Sequence, residues 1–241
     1  MNSKLLKEFQ KAINYQFRQN HLLTQALTHS SYANERNINK LLNNERLEFL
    51  GDAVLELISS DFLFKTYPDL PEGVLTKKRA SYVCEPTLAF CARELNLGRY
   101  LFLGKGEDGT GGRERASLLS DALEAVIGAI YLDGGIENAS SFIYAFILNN
   151  IENKAMFNDC KTLLQEIVQS RSKEPITYEL IDATGPEHNR QFVIQVVLGE
   201  MPLGIGRGRT KQAAGQEAAY QSILQLKDIY DDIDEIMTRL V

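Results

Sequence analysis

The pattern of apolar and polar residues changes near residue 155. Before that point, apolar side chains recur every three or four positions, which predicts one helix after another. Beyond it, helical spacing from Thr162 to Arg171 gives way to alternating apolar and polar residues, which is typical of strands. The alternating segments are 176–181, 191–198 and 201–207, and helical spacing returns near Thr210. The sequence therefore predicts an all-α domain followed by a small α+β domain of order α-β-β-β-α.

Polar stretches suggest where these domains begin and end. The all-helical domain is predicted at residues 1–152, followed by a polar linker at 153–158. The α+β domain is predicted at 159–228. An acidic amphipathic tail, 229–241, completes the chain and either extends the last helix or docks elsewhere.

Composition and charge limit the classes of function. Hydrophobic residues make up 44% of the chain, enough for a packed core. No apolar run approaches the length of a membrane span, and the first residues lack the core of a signal peptide, so we expect a cytoplasmic protein without membrane contact. The three cysteines show no metal-binding spacing and predict buried free thiols. With a net charge of −6, any nucleic-acid contact must depend on local basic clusters or on metal.

Acidic residues recur at helical spacing in two apolar segments. Glu45, Glu48 and Asp52 follow the spacing i, i+3, i+7, which places their side chains on one face of a helix. Asp121 and Glu124 share a face in the same way. Like charges at such spacing repel each other, so a cation between the two faces would stabilise the pair of helices.

A solvated helix face is the alternative interpretation of these carboxylates. Both segments are apolar over most of their circumference, which predicts buried helices, and carboxylates on buried helices need partners. A hard divalent cation such as Mg²⁺, with Mn²⁺ as a substitute, is the natural partner of carboxylate oxygens. Two such helices facing each other indicate metal-assisted phosphodiester chemistry.

Longer motifs resemble a known enzyme family. The segment Asn44–Ala53, Asn-Glu-Arg-Leu-Glu-Phe-Leu-Gly-Asp-Ala, is similar to the signature of ribonuclease III, a double-stranded-RNA endonuclease. Ser120–Ala129 resembles the second catalytic helix of that family, and Pro71-Glu-Gly73 also fits. The C-terminal domain resembles a double-stranded-RNA-binding domain through Gly185–His188 and Gly206–Lys211. The resemblance covers nearly the whole chain.

The resemblance implies roles for the acidic residues and a quaternary structure. The implied metal ligands are Glu48, Asp121 and Glu124. The implied catalytic set is Asp52, Glu124, Glu45 and Glu72. Phe49 resembles the aromatic residue that inserts into the second subunit, so a homodimer is implied.

The resemblance also implies a reaction. The family cleaves double-stranded RNA to 5′-phosphate and 3′-hydroxyl ends with short 3′ overhangs, in ribosomal RNA and other structured precursors. Two alternatives remain: a non-enzymatic RNA-binding protein on the same fold, and a metal-dependent hydrolase of another substrate, such as a helical diphosphohydrolase. The presence of all the acidic residues argues against the first, and the RNA-binding tail domain argues against the second.

The tail domain offers side chains suited to the shape of A-form RNA. The predicted contacts are Thr162, Gln165, Glu166, His188, Arg207, Arg209 and Lys211. Residues 159–228 hold eight Lys and Arg against nine Asp and Glu, a net of −1, so we expect modest and salt-sensitive affinity. Gly215 within the last helix costs about 1 kcal/mol relative to Ala.

The glycine-rich segment 104–115 is not a nucleotide-binding loop. It lacks the spacing Gly-x-x-x-x-Gly-Lys-Ser/Thr and follows no clear strand, so no nucleotide cofactor is expected. A flexible loop is predicted instead, with Lys105, Arg113 and Arg115 near the RNA backbone.

Overall fold

A computed structural model defines the architecture over most of the chain. The described residues are 3–149, 151, 160–184, 190–208 and 210–227. The chain forms two compact units, residues 1–151 and 152–241. The predicted linker at 153–158, the predicted tail at 229–241, His188 and Arg209 lie outside the described residues.

The first unit is helical, as predicted, and its helices are numbered along the chain. They are α1 (Ser3–Ala12), α2 (Asn20–Ala26), α3 (Ser30–Glu35), α4 (Glu45–Thr66), α5 (Glu72–Val83), α6 (Glu85–Glu94), α7 (Lys105–Gly109), α8 (Ala116–Gly134) and α9 (Ile136–Ile143). Short 3₁₀ turns precede α4, α7 and α8, and a π-helical turn, Tyr144–Leu148, follows α9. None of the described helices is both long and apolar enough to cross a membrane.

Helices α4 and α8 form the centre of this unit. Helix α8 is buried around most of its circumference, as its apolar sequence predicts. The same prediction for α4 is wrong on one side, where Phe49 is 80% exposed, Leu57 61% and Phe64 73%. Spacings of eight and seven residues place these three side chains on one face. No helix of the described chain covers that face, although its composition is that of a buried surface.

The second unit has the predicted α-β-β-β-α order. Its elements are α10 (Cys160–Gln169), β1 (Ile176–Thr184), β2 (Gln191–Leu198), β3 (Met201–Gly208) and α11 (Lys211–Lys227). The strands form one antiparallel sheet in the order β1-β2-β3. Helix α10 begins two residues before the predicted start, and β1 runs three residues past its predicted end.

Both helices of the second unit pack against one face of its sheet. The core contains Leu164 of α10, Val196 of β2 and Ala218 of α11, each fully buried. The apolar residues at helical spacing on α10 and at alternating spacing on β2 supply this core. The residues that these sequence patterns place on one face are therefore the ones that are buried.

The cysteines agree with the prediction of free thiols. Cys91 and Cys160 are buried and Cys84 is half-buried, and none forms a disulfide. The Cys84 thiol donates to the Ser81 carbonyl oxygen at 3.3 Å. The thiols therefore act as small packing groups.

Candidate active site

Two glycines bring α4 and α8 into backbone contact. A Cβ atom built on Gly51 would lie 1.8 Å from the carbonyl oxygen of Glu124, and one on Gly128 would lie 2.2 Å from that of Leu47. No side chain larger than hydrogen fits at either position without moving a helix. Gly51 lies three residues after Glu48, and Gly128 lies four residues after Glu124. The acidic residues of each helix therefore lie within about one turn of the contact, where their carboxylates face the same space.

Three carboxylates meet at this crossing. One oxygen from each of Glu48, Asp121 and Glu124 lies within 4.8 Å of the others, and all three side chains are half-buried. Opposite ligands of an octahedral Mg²⁺ ion lie about 4 Å apart, so small side-chain adjustments would bring all three oxygens into contact with one ion. The residues present therefore fit a hard divalent cation.

Burial and mutual repulsion disfavour ionisation of these carboxylates. Burial, followed by the charges of Asp52, Glu48 and Asp121, raises the pKa of Glu124 to about 8. Burial and the neighbouring charges of Asp121, Glu45 and Asp52 also raise the pKa of Glu48. A cation at this position would relieve both effects by neutralising the ionised groups.

Glu45 and Asp52 are the neighbouring charges of this cluster on α4, whereas Glu72 belongs to α5. Glu45 and Asp52 are exposed on α4, on either side of Glu48 along the helix. Glu72 is the first residue of α5, where its exposed carboxylate accepts a hydrogen bond from the Thr76 hydroxyl at 2.8 Å. The predicted catalytic set is thus distributed over three helices.

Two residues near Asp121 were not identified from the sequence. Burial raises the pKa of Asp121, and the charge of Glu85 raises it further, whereas the Ser120 hydroxyl and His29 lower it. His29 lies at the start of α3, and its Nδ1 accepts a hydrogen bond from the Ser31 amide at 3.3 Å. Neither residue is within thirty positions of Asp121 in the chain, so sequence spacing gave no signal.

The segment 104–115 is folded, contrary to the predicted flexible loop. Its two arginines form salt bridges within the segment: Arg113 pairs with Asp108 at 2.7 Å, and Arg115 pairs with Glu107. Arg113 also donates to the backbone carbonyls of Gly98 and Leu101, at 2.8 Å each. These hydrogen bonds fix the entry to α8 and occupy both guanidinium groups, which were predicted to lie near RNA.

The described RNA-contact candidates of the second unit are exposed. Thr162, Gln165 and Glu166 share one side of α10, as their spacing requires. Lys211 is the first residue of α11, and Thr210 caps that helix by accepting from the Ala213 amide at 3.0 Å. Arg207 is exposed near the end of β3. His188 and Arg209 are outside the described residues.

Family models match both units. Residues 19–151 match the model described as Ribonuclease-III-like, and residues 160–226 match the double-stranded RNA binding motif. Together with the fold, these matches define the class of protein: an endoribonuclease domain followed by a double-stranded-RNA-binding domain.

Individual relatives cover nearly the whole chain. It is 48% identical over 225 residues to Ribonuclease 3 of Caldanaerobacter subterraneus, covering 92% of this chain and 98% of that protein. It is 46% identical over 220 residues to Ribonuclease 3 of Oceanobacillus iheyensis, covering 90% and 96%. The nuclease domain of ribonuclease III from Campylobacter jejuni aligns with a TM-score of 0.57 and 42% identity, covering 61% of this chain and 98% of that one. The chain belongs to the ribonuclease III family and is an endoribonuclease.

Proposed function

We propose that this endoribonuclease cleaves double-stranded RNA in a reaction that requires Mg²⁺, for which Mn²⁺ substitutes. The convergence of Glu48, Asp121 and Glu124 at the crossing of α4 and α8 carries the proposal. These three residues would hold the ion through one carboxylate oxygen each. When bound, Mg²⁺ supplies charge neutralisation of the phosphodiester and activation of water.

The remaining acidic residues act around this centre. Asp52 lies one helical turn beyond Glu48 and is the neighbouring charge that most raises the pKa of Glu124. In this position Asp52 orients the attacking water and accepts its proton, with Glu124 on the opposite helix. Glu45 and Glu72, both exposed, are the remaining carboxylates of the proposed catalytic set and would help to orient water and RNA. Attack by water on phosphorus with breakage of the P–O3′ bond leaves a 5′ phosphate, and the departing 3′ oxygen takes up a proton to become a 3′ hydroxyl.

The direct test of this function compares nucleic acids. A long perfect RNA duplex is incubated with and without Mg²⁺, beside a DNA duplex of the same sequence. We expect cutting of the RNA alone, only with the metal, and 5′-phosphorylated products. Tight RNA binding without cutting in either Mg²⁺ or Mn²⁺ would favour a non-enzymatic RNA-binding role instead.

Proton competition at the cluster predicts a pH dependence of metal stabilisation. A raised pKa means that the folded metal-free protein holds protons more tightly than the unfolded chain. The contribution of Glu124 to the stability of the metal-free protein is therefore greatest below its unfolded-state pKa and is lost as pH rises through its folded-state pKa of about 8. Because Mg²⁺ binds the ionised carboxylates, it should raise the melting temperature more at about pH 9 than at about pH 6. Equal increments at both pH values would contradict this.

We propose a homodimer formed through the exposed face of α4. Phe49, Leu57 and Phe64 give this face the composition of an interface core. The Campylobacter jejuni nuclease domain is described as containing a region involved in dimer formation, which supports the proposal. Two active sites related by a two-fold axis would each cut one strand, giving staggered ends with short 3′ overhangs.

Changing Phe49 to Asp should dissociate this dimer. Removing a buried aromatic anchor costs about 2 kcal/mol or more, which weakens association by about thirtyfold, and the added carboxylate increases the loss. Sedimentation equilibrium should detect a monomer, and duplex cleavage should fall with it. Leu180→Asp, which changes an exposed leucine of the second unit, is the control and should remain dimeric. An unchanged dimer in Phe49→Asp would refute the interface.

The second unit would hold the RNA substrate. Thr162, Gln165 and Glu166 face the minor groove, Lys211 meets phosphates at the positive end of α11, and Arg207 assists, with His188 and Arg209 as further proposed contacts. Structured precursors such as ribosomal RNA are the proposed substrates. We place the activity in the cytoplasm, a reducing compartment that suits the free cysteines.

Removal of the second unit should make cleavage salt-sensitive. A chain that ends at Asn153 retains the carboxylate cluster but loses the proposed RNA contacts, so phosphate attraction alone must hold the substrate. We expect it to cut duplex RNA at low salt and to lose activity more steeply than the full chain as salt rises. Initial rates over a salt series check this, and identical salt profiles would refute the role of the second unit.

A further inference from the structure

A cavity lies beside the proposed RNA-facing side of α10. It has a volume of about 570 Å³ and lies between α10 and the start of β1. Buried Val168 and half-buried Ile176 supply its apolar floor, and exposed Gln165 and Gln169 lie at its rim. Gln165 also belongs to the proposed RNA-facing side, so the cavity is continuous with the surface that would meet the minor groove.

A lysine is fixed at one wall of this cavity. The Lys161 ammonium lies 4.6 Å from the centre of the Tyr178 ring. A Cβ atom built on Gly215 would lie 2.5 Å from Lys161 Cε and Nζ, so the end of the lysine side chain occupies the space beside this glycine of α11. Burial raises the pKa of Tyr178 to about 12, which keeps the phenol neutral beneath the ammonium. The chain thus keeps a helix-weakening glycine where it positions a cation beside the cavity.

The lining of the cavity matches the chemistry of a nucleotide. A base has apolar faces, which suit Val168 and Ile176, and polar edges, which suit the side-chain amides of Gln165 and Gln169. The accompanying phosphate is an anion and suits the ammonium groups of Lys161 and Lys173, which outnumber the single carboxylate of the lining, that of Glu174. Proteins read RNA sequence mainly through such unstacked bases, which a regular duplex does not offer.

We propose that the cavity receives a single unpaired nucleotide from duplex RNA bound along α10, so that this protein prefers duplexes carrying a bulged nucleotide. The inference rests on the RNA binding proposed above. Attachment to a duplex held by Thr162 and Glu166 presents the nucleotide at high local concentration, so a free mononucleotide should bind far more weakly.

The test measures affinity for two RNA duplexes that differ by one bulged nucleotide. The full chain carries Glu124→Gln, so that the RNA is not cleaved while its binding is measured. We expect the bulged duplex to bind about five- to tenfold more tightly, the effect of one modest packing contact. Ser172→Trp, which fills the cavity from its lining, should abolish this preference and leave perfect-duplex affinity unchanged. Ser170→Trp, two residues earlier and exposed outside the cavity, is the matched control and should keep the preference.

Further arms separate this proposal from its alternatives. Gln169→Trp, at the exposed rim of the cavity, should also abolish the preference for the bulged duplex. Because Gln169 is exposed, this variant shows whether the effect of Ser172→Trp is due to a folding defect. Excess adenosine monophosphate should reduce the advantage of the bulged duplex, whereas inorganic phosphate should not. Equal binding of the two duplexes by the chain with its native Ser172, or equal losses in Ser172→Trp and Ser170→Trp, would overturn the cavity proposal alone. Failure to bind either duplex would refute the proposed RNA binding as well.

Discussion

Replacing Glu124 with Gln should abolish cleavage while leaving RNA binding nearly intact. Glu124 contributes one of the three converging oxygens, and its carboxylate is the most strongly perturbed of the cluster. The amide keeps the size of the side chain but carries no charge, so the site loses a metal ligand. Even partners that only support a metal ligand are worth 10- to 100-fold, so we expect a loss of more than about a hundredfold.

Single-turnover cleavage and equilibrium binding of the same duplex measure the two parts of this prediction. Glu137→Gln changes an exposed glutamate in the first turn of α9 and serves as the matched control, with wild-type activity expected. In metal-free buffer above about pH 8, where Glu124 is ionised, Glu124→Gln should also be at least as stable as the parent, because one of the mutually repelling charges is gone. Wild-type cleavage by Glu124→Gln would show that the site has been assigned to the wrong residues.

Replacing Gly51 with Ala should cost both stability and activity. The added methyl group would lie 1.8 Å from the Glu124 carbonyl oxygen, a backbone atom of a buried helix that cannot turn away. Relief requires α4 and α8 to separate, at about 3 kcal/mol or more. Separation moves Glu48 and Asp52 away from Asp121 and Glu124, so the activity of the folded fraction should fall as well.

Gly106→Ala provides the control for this effect. A Cβ at Gly106, within α7, meets no atom within 4 Å, so the substitution should be neutral or stabilising by up to about 1 kcal/mol. Denaturant unfolding gives both stabilities, and cleavage rates corrected for the folded fraction give the activities. An equal stability of Gly51→Ala and wild type would mean that the two helices are not held in backbone contact.

Local spacing was enough to predict the faces of the catalytic helices. Glu48 and Asp52, or Asp121 and Glu124, share a face because the α-helix has 3.6 residues per turn, and this holds in any fold. The order of helices and strands followed from equally local patterns. Which helices would meet is a different question, because it depends on contacts between Gly51 and Glu124 or Gly128 and Leu47, far apart in the chain.

The parts that the sequence did not predict depend on tertiary contacts. The exposed side of α4 carries large apolar side chains as its buried sides do, so Leu57 and Phe64 gave no local sign of exposure, whereas the family resemblance had implied a subunit contact for Phe49. Gly215 was interpreted as a helix-weakening residue, and the structure places the end of the Lys161 side chain, from another helix, in the space beside it. The hydrogen bonds of Arg113 to the carbonyl oxygens of Gly98 and Leu101 were not predicted either, because those residues lie 15 and 12 positions away in the chain.

Anomalous diffraction from crystals grown with Mn²⁺ tests the central claim most directly, because it locates the ion without reference to activity. The account predicts a peak at the crossing of α4 and α8, within bonding distance of carboxylate oxygens of Glu48, Asp121 and Glu124, and its loss in Glu124→Gln. A Mn²⁺ peak elsewhere in the first unit, with these three carboxylates free of metal, would contradict the proposed catalytic centre.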